Sequence, residues 1–253
     1  MNERIGERES KIAKSIGSLW DVQCYAAISS TMDRAREAEP DERPLVVLAE
    51  TQTSGRGRHG REWSSEKGGF YATYRFSHQG ALSALVGFSL VVGTVIHEVV
   101  TSLGGEVKLK WPNDILATNG KKVGGVLIEI VSHGVSSSVL IGIGINLEHS
   151  KVPTGSSLKE ITSLTLTPEE IVKRLSSPLL EAWKIFLREG FQKFKISWED
   201  AACFRGERVR IEESAGAREG IFMGVSDEGA LLLKAEQGIE KIFAGDVVRC
   251  RQA

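Results

Sequence analysis

The sequence predicts an α+β fold in which helices pack on a mixed, largely antiparallel sheet, followed by a small C-terminal β-barrel. Strand-like runs alternate with helices from residue 20 to about 150. Two long apolar runs, 123–131 and 135–147, flank a turn-compatible tripeptide and indicate an antiparallel hairpin. After Trp198, short apolar runs are separated by glycine-containing turns, as in small barrels. The predicted segments are an N-terminal extension, a large domain and a barrel: 1–20, 21–203 and 204–253.

The large domain contains two kinds of periodic segment. Residues 30–38 begin with a hydroxyl side chain and predict a helix. Apolar residues recur at three- and four-residue steps from Leu82 to Leu103, which predicts a buried helix ending at Gly104-Gly105. Its most apolar part, residues 81–96, is interrupted by glycine and threonine and is followed by His97 and Glu98, so we expect it to fall short of the roughly 20 residues that a bilayer requires. Three strands are predicted from apolar content or alternation: 44–51, 69–76 and 106–111.

The C-terminal third begins with another helix. Thr167-Pro168-Glu169-Glu170 combines an N-cap residue, a proline in the first turn and acidic residues that suit the helix dipole, so a helix is predicted up to Arg188. Short barrel strands then follow at 207–212, 219–225, 230–235 and 241–243. Since about 50 residues is small for independent stability, we expect the barrel to pack on the large domain.

Composition excludes several classes of protein. With 32 Lys+Arg against 33 Asp+Glu and a formal net charge of −1, the chain is unsuited to coating nucleic acid, although a local basic site remains open. Cys24, Cys203 and Cys250 form no CxxC pair, which disfavours a disulfide framework and a cysteine zinc site and favours the cytoplasm. The charged N-terminus predicts a short helix or a frayed end, not a secretory signal or membrane anchor.

A glycine–arginine loop, residues 55–63 (GRGRHGREW), follows the first predicted strand. It satisfies GxGxxG, but a dinucleotide fingerprint would open an apolar helix, and here the following residues are polar. A phosphate-binding P-loop would need Lys and then Ser or Thr after its last glycine. The glycines let the backbone bend closely around a ligand, while arginine forks bind phosphate or carboxylate oxygens. A solvated basic loop is the alternative, and the neighbours Gln52 and Trp63 favour the binding interpretation.

The motif Lys110-Trp111-Pro112-Asn113-Asp114 ends a strand with turn-forming residues. A turn explains the Pro-Asn-Asp part but not a lysine, a tryptophan and a carboxylate placed together. Asp114 could hold a magnesium-bound water or orient a cationic side chain, and Lys110 is a candidate partner.

Small residues open the faces of the two hairpin strands. Lys122 precedes Gly124-Gly125, where a ligand or another backbone segment could approach closely, although a lysine that confers solubility at a strand edge is the commoner case. Gly142 and Gly144 alternate with apolar residues and leave one face of the next strand open. Asn146 follows on the same face, where its amide could bind a purine edge or a polar head group.

In this order, these motifs resemble those of biotin protein ligases (biotin–acetyl-CoA-carboxylase ligases). The resemblance covers about residues 20 to 250 and rests on Ser30-Thr31-Met32-Asp33, Gln52 with GRGRHGREW, KWPND, KVGGVLIE, GIGINL, Ser156–Glu160 and GALLL. It implies a class II synthetase-like catalytic domain and an SH3-like barrel. It also implies two steps: biotin and ATP give biotinyl-5′-AMP with magnesium assistance, and a carrier lysine then takes the biotin and releases AMP.

The resemblance also implies roles for individual residues. Lys122 would meet the biotin carboxylate and the α-phosphate, and Arg58 would retain the reactive adenylate; both are the implied catalytic residues. The implied biotin site comprises Ser30, Thr31, Gln52, Gly55, Arg56, Trp63, Lys122, Gly125 and Gly144. The implied nucleotide site comprises Arg58, Arg61, Lys110, Asp114 and Asn146. The metal ligand is unknown, with Asp114 acting through water as the candidate.

The partner implied is the biotin carboxyl carrier domain of a biotin-dependent carboxylase. Since only about 20 residues precede the catalytic region, we expect a monofunctional ligase without the DNA-binding domain of some relatives, and no membrane partner. A homodimer through sheet edges is compatible with the resemblance. His59 replaces a residue that is often basic, and residues 147–155 contain no aromatic side chain to cover an adenine ring. The alternatives are a lipoate ligase and a non-catalytic biotin or nucleotide sensor; a nicotinamide oxidoreductase is disfavoured.

Overall fold

Two β-sheets organise the chain in the computed structural model, which describes residues 4–213 and 216–249. The first has seven strands: β1 (Asp21–Ile28), β2 (Leu45–Gln52), β3 (Gly69–His78), β4 (Val107–Lys110), β5 (Asp114–Ala117), β6 (Lys122–His133) and β7 (Ser136–Asn146). Their spatial order is β1-β2-β3-β7-β6-β5-β4. β1 and β2 are parallel, and every other neighbouring pair in this sheet is antiparallel. The predicted mixed, largely antiparallel sheet is therefore confirmed.

Helices cover both faces of this sheet. Those in the described residues are α1 (Gly6–Ile16), α2 (Thr31–Glu37), α3 (Phe88–Ser102), α4 (Leu158–Thr162), α5 (Pro168–Glu189) and α6 (Lys195–Ala201). The alternation of β2 sends Val46 and Leu48 into the core with α3 and α5, and Val47 into a smaller core with α2. The central strands are buried on both faces for this reason.

The second sheet has five strands: β8 (Arg208–Glu213), β9 (Gly216–Val225), β10 (Leu231–Ala235), β11 (Gly238–Ile242) and β12 (Asp246–Arg249). Their order is β11-β10-β9-β8-β12, with antiparallel neighbours throughout, consistent with an SH3-like barrel. It packs on α6 and on the turn between β4 and β5: Glu199 of α6 accepts from the backbone N–H of Val225 (2.9 Å), and the indole Nε1 of Trp111 donates to the Gly229 carbonyl (3.1 Å).

Several elements lie where turn and capping residues in the sequence predict them. The β6–β7 hairpin turns at Gly134, whose φ of 75° suits glycine. α5 begins with a capping box between Thr167 and Glu170, as its start sequence predicts. The strand β1, the short helices α4 and α6, and the strands β5 and β12 were not predicted, because each is short or lacks a clear periodicity.

The predicted helix over 82–103 is divided by contact with the barrel. A short 3-10 turn, Leu82–Leu85, precedes α3, and Gly87 between them has a φ of 84°. A Cβ at Gly87 would lie 2.7 Å from the Glu228 carbonyl oxygen, so glycine permits this close approach. The stretch Leu82–Ser102 is long and apolar enough to span a membrane by length and composition, contrary to the sequence expectation. However, 56% of its apolar window is buried, as in a core helix.

Aromatic side chains join α5 to the sheet and to α3. The Trp183 ring stacks on Phe76 (centroids 5.4 Å apart) and contacts Phe88 (4.9 Å), while Phe88 also contacts Phe186 (4.9 Å). All four side chains are buried. This cluster is the centre of the large core.

We expect Trp183→Ala to lower the free energy of unfolding by about 3–5 kcal/mol, because it leaves a cavity among three aromatic rings. Leu187→Ala on the same helix removes a side chain that is 46% exposed and should cost less than about 1.5 kcal/mol. Urea denaturation followed by circular dichroism measures both changes. Equal losses in the two variants would contradict this description of the core.

Candidate functional site

A cavity of about 400 Å³ lies over one face of β3, β6 and β7 and beneath the glycine–arginine loop. Of the fourteen candidate residues, thirteen line it: Ser30, Thr31, Gln52, Arg56, Arg58, Arg61, Trp63, Lys110, Asp114, Lys122, Gly125, Gly144 and Asn146. Gly55 is buried beside the cavity, where a Cβ would lie 2.5 Å from Ser65 Oγ and 3.1 Å from Gln52 Nε2. Its missing side chain lets the loop pack closely against Gln52.

One end of the cavity carries an ordered hydrogen-bond network centred on Gln52. Its Oε1 accepts from the backbone N–H of Thr31 (2.8 Å) and from Thr31 Oγ1 (3.1 Å), and its Nε2 donates to Ser65 Oγ (2.8 Å). Ser30 caps α2, because its Oγ accepts from the backbone N–H of Met32 (3.2 Å). The Ser30 hydroxyl hydrogen and one Nε2 hydrogen of Gln52 are therefore left to donate to a ligand.

The middle of the cavity is apolar because glycines make room for an indole ring. A Cβ at Gly144 would lie 2.6 Å from the Trp63 ring, and a Cβ at Gly142 would lie 3.0 Å from Met32 Sδ. The Lys122 ammonium lies 5.2 Å from the Trp63 ring centroid. Trp63 thus connects the polar end of the cavity to its charged end.

The two glycines of β6 differ in their surroundings. A Cβ at Gly125 would meet Lys122 Nζ at 3.3 Å on the cavity side, whereas a Cβ at Gly124 would meet the Gly144 carbonyl oxygen at 2.8 Å. Gly124 lies on the face of the sheet opposite to Gly125, because successive residues alternate between faces, and there it is close to the backbone of β7. Gly124 thus permits a close approach of backbone, and Gly125 is the one of the two that lines the cavity.

The charged end begins with two lysines that share one carboxylate. Asp114 Oδ1 lies 2.5 Å from Lys122 Nζ, and Asp114 Oδ2 lies 3.4 Å from Lys110 Nζ. The register of β5 against β4 and β6 brings them together, since Asp114 opposes Lys110 on one side and Gly125 on the other. The anticipated pairing of Lys110 with Asp114 is present, with Lys122 as an additional partner.

Arg56 is held by a carboxylate on α2. Its guanidinium binds both oxygens of Asp33, at 2.6 Å and 3.0 Å. The hydrogen bonds from Arg56 hold the pKa of Asp33 below its usual value, although burial opposes this shift. Asp33 also accepts from Arg36 (3.0 Å). The Arg56 side chain is therefore fixed beside the polar end.

Arg58 and Arg61 converge on Asp246 at the start of β12. Arg58 Nη1 donates to Asp246 Oδ1 (2.9 Å) and to the Gly245 carbonyl (3.1 Å), while Arg61 binds Asp246 Oδ2. Burial opposes ionisation of Asp246, but the bond from Arg61 and the two arginine charges outweigh it and lower its pKa. The barrel thereby supplies a carboxylate to the charged end of the cavity.

Asn146 holds the loop that follows β7. Its Nδ2 donates to the backbone carbonyls of Ser156 (2.9 Å) and Lys122 (3.3 Å). Its amide oxygen is therefore free to accept a hydrogen bond from a ligand in the cavity.

Four further groups of the site lay outside the sequence prediction. Asp246 gave no signal, because nearly two hundred residues separate it from Arg58. Asn113, interpreted only as a turn residue, accepts from Arg58 at 3.4 Å. His149 lines the cavity next to Gly68, where a Cβ would lie 3.1 Å from the imidazole, so the loop over 147–155 does present a ring. Asp33 belongs to the Ser30-Thr31-Met32-Asp33 motif, but the sequence assigned no role to its side chain. His59, by contrast, is exposed.

The described residues offer neither a strong metal site nor a reactive thiol. Within residues 4–213 and 216–249, no cluster of three or more His, Cys, Asp or Glu side chains could hold a metal ion. The oxygens of Asp114 already face two lysines, which disfavours direct metal coordination. Cys24 and Cys203 are free, and burial raises the pKa of each thiol to about 12. Cys250 lies outside the described residues.

Two family models and several known proteins match the sequence of this chain. Residues 25–146 match the biotin/lipoate A/B protein ligase family, and residues 204–249 match the biotin protein ligase C-terminal domain. The Bacillus spizizenii bifunctional ligase/repressor BirA is 34% identical over 232 residues, spanning 87% of this chain and 71% of the relative. The Paracoccus denitrificans biotin–[acetyl-CoA-carboxylase] ligase is 33% identical over 214 residues, spanning 79% and 88%.

Solved structures show the same architecture. The Aquifex aeolicus biotin protein ligase in complex with biotin and ATP superposes with a TM-score of 0.78 at 29% identity, covering 92% of this chain and 99% of that one. The Leishmania major enzyme with biotinyl-5-AMP has a TM-score of 0.55 at 22% identity and supports the fold alone.

Asp246→Asn should destabilise the protein by about 1 kcal/mol near neutral pH, because it removes a partly buried carboxylate held by two arginines. Because the folded-state pKa of Asp246 is lowered, its contribution is present above its unfolded pKa and is lost as the pH falls through the folded value. The stability difference between wild type and variant should therefore shrink below about pH 4.

Urea titrations of both proteins from about pH 7 to pH 3 measure this difference. Glu42→Gln, in an exposed bend, is the control. A difference between wild type and Asp246→Asn that stays constant across this range would contradict the pairing.

Proposed function

The chain belongs to the biotin protein ligases of the biotin/lipoate A/B protein ligase family, and we propose that its cavity joins biotin to ATP and delivers it to a carrier protein. Biotin and ATP are the substrates of the first step. One observation carries the proposal: a polar end, an apolar middle and a cationic end follow one another in a single continuous cavity. This order matches a ureido ring, a valeryl chain and a carboxylate next to a triphosphate.

The polar end fits the ureido group of biotin. Ser30 and Gln52 each have a hydrogen to donate to the ureido carbonyl, and Thr31 Oγ1 can accept from a ureido N–H. Trp63, with the open faces of Gly125 and Gly144, encloses the apolar part of the ligand. Gly55 and Arg56 shape the loop around this end.

Lys122 and Arg58 act at the reacting centre. A carboxylate oxygen of biotin attacks the α-phosphorus of ATP, and pyrophosphate leaves. The lysine ammonium and the guanidinium meet the charge that develops on the phosphoryl oxygens, so positioning and cations supply the catalysis. Arg61, Lys110, Asp114 and Asn146 complete the nucleotide site. No nucleophile from the enzyme is required.

The second step transfers biotin to a lysine of a biotin carboxyl carrier domain. The amine attacks the acyl carbon of biotinyl-5′-AMP, a proton is lost and AMP leaves. Arg58 retains the adenylate until the carrier arrives, because its charge faces the phosphate. The carrier of a biotin-dependent carboxylase is the proposed partner.

Two alternatives fit the geometry less well. A lipoate ligase would need an apolar end for a dithiolane ring, which has neither a carbonyl nor an N–H for the Gln52 network. A non-catalytic sensor would not need lysines and arginines gathered at one end of the cavity.

Further proposals concern the setting of the reaction. Mg²⁺ enters with the phosphates of ATP, and a contact with Asp114 through water stays a prediction. The reduced Cys24 and Cys203 agree with a cytoplasmic location. The domain limits at 20 and 203, the absence of DNA and membrane partners, the monofunctional assignment and a sheet-edge homodimer also stay predictions.

Incubation with biotin, MgATP and a carrier domain tests the proposed function. Mass spectrometry should detect biotinyl-5′-AMP without the carrier, and one biotin per carrier domain with it. Lipoate serves as the competing substrate. Activation of lipoate alone, or no pyrophosphate release with either acid, would overturn the proposal.

Lys122→Ala should lower the rate of adenylate formation about 100-fold or more, because one cation at the developing charge is lost. ATP affinity should change less than about tenfold, since Arg58, Arg61 and Lys110 remain. Pyrophosphate release and ATP titration measure these two quantities. Lys121→Ala, at an exposed neighbouring lysine, is the control. Unchanged pyrophosphate release in Lys122→Ala would exclude the assigned role.

Arg58→Gly should release biotinyl-5′-AMP into solution, where it acylates lysines of unrelated proteins. Incubation with serum albumin and the carrier domain, followed by streptavidin blotting, detects this loss of selectivity. His59→Gly alters the exposed neighbour in the same loop and should remain selective. Labelling of the carrier alone by Arg58→Gly would count against retention by Arg58.

A further inference from the structure

We propose that Thr73 is a positioning residue that orients the hydroxyl of Thr31 for ureido recognition. The inference rests on the proposed function, because it concerns the polar end of the same cavity. Thr73 does not line the cavity: it is fully buried in β3, where it pairs with Val47 of β2 and Gly142 of β7. Its effect on a ligand must therefore pass through a neighbour.

That neighbour is Thr31, the first residue of α2. Thr73 Oγ1 lies 2.8 Å from Thr31 Oγ1, and both side chains are buried. Thr31 Oγ1 also lies 3.1 Å from Gln52 Oε1. Three oxygen atoms thus form a chain from the sheet to the cavity.

The direction of each hydrogen bond in this chain follows from its fixed ends. The backbone N–H of Thr31 can only donate, so the oxygen of the Gln52 amide faces it, and its NH₂ group faces Ser65 Oγ. Because Gln52 Oε1 can only accept, the Thr31 hydroxyl must donate to it. Thr31 Oγ1 therefore has to accept from Thr73.

This direction gives Thr31 a definite role toward the ligand. With its hydrogen directed at Gln52, Thr31 Oγ1 offers the cavity a lone pair and not a donor. Without Thr73, only the longer bond to Gln52 would orient the Thr31 hydroxyl, which could then more readily rotate its hydrogen into the cavity, where it would oppose a ligand N–H. Thr73 therefore favours a ligand with an N–H at this position, as in a ureido ring, and disfavours one that presents only an acceptor.

Thr73→Val tests the proposal, since it removes the hydroxyl and keeps the branched shape. The Michaelis constant for biotin in adenylate formation should rise about fivefold, corresponding to one hydrogen bond. The Michaelis constant for ATP should stay within about twofold, because the nucleotide occupies the cationic end. Thr73→Ser retains the hydroxyl and should restore the biotin value.

Two controls separate positioning from a loss of packing. Thr94→Val makes the same change at a threonine of α3 that is 1% exposed and whose hydroxyl bonds only within its helix, to the Leu90 carbonyl. It should leave both constants unchanged. In a Thr31→Val background, Thr73→Val should have no further effect on the Michaelis constant for biotin, because the Thr31 hydroxyl through which Thr73 acts is already absent.

The outcomes are distinct. A wild-type protein that forms no biotinyl-5′-AMP would overturn the proposed function and, with it, this inference. An active wild type with an unchanged biotin constant in Thr73→Val would overturn the inference alone. An equal rise in the Michaelis constants for biotin and ATP that Thr73→Ser does not reverse would also overturn the inference alone. The same holds if the effects of Thr73→Val and Thr31→Val on the biotin constant are fully additive in the double variant.

Discussion

Pairing of cavity-facing cations with carboxylates from other elements is the interaction on which the site depends. The pairs are Arg56 with Asp33, Arg58 and Arg61 with Asp246, and Lys110 and Lys122 with Asp114. Five cations gathered around one cavity would repel one another, and these three carboxylates offset that repulsion while keeping the side chains in place. Nucleotide phosphates can then replace carboxylate oxygens as partners of cations that are already ordered.

The pairs also explain why the two sheets belong to one functional unit. Asp33 lies on α2, Asp114 at the start of β5 and Asp246 at the start of β12, so the charges around the cavity are held by three separate regions. The barrel places Asp246 because it docks through the Trp111 indole and through the close approach of Gly87 to Glu228. Each of these contacts spans more than one hundred residues of sequence, so the pairs of Arg58 and Arg61 with Asp246 require the two sheets to be packed together.

Local sequence signals predicted those parts of this architecture that depend on neighbouring residues. The β6–β7 hairpin, the capped start of α5 and the open glycine face of β7 all follow from turn chemistry, capping and alternation. Alternation also separates Gly125, which lines the cavity, from Gly124, which lies on the opposite face next to the backbone of β7. Asp246, Thr73 and His149 could not be predicted in the same way, because their roles arise from contacts made by the tertiary fold. The division of the helical stretch at Gly87 could not be predicted for the same reason, because it accompanies a close contact between Gly87 and Glu228 of the barrel.

We propose that one cavity holds biotin at its polar end and the nucleotide phosphates at its cationic end. A crystal structure with a non-hydrolysable analogue of biotinyl-5′-AMP tests this assignment. We expect the ureido ring to contact Ser30, Thr31 and Gln52, the indole of Trp63 to cover the ring and chain, and the phosphate mimic to contact Arg58 and Lys122. An analogue bound in the reverse orientation, or outside this cavity, would exclude the assignment.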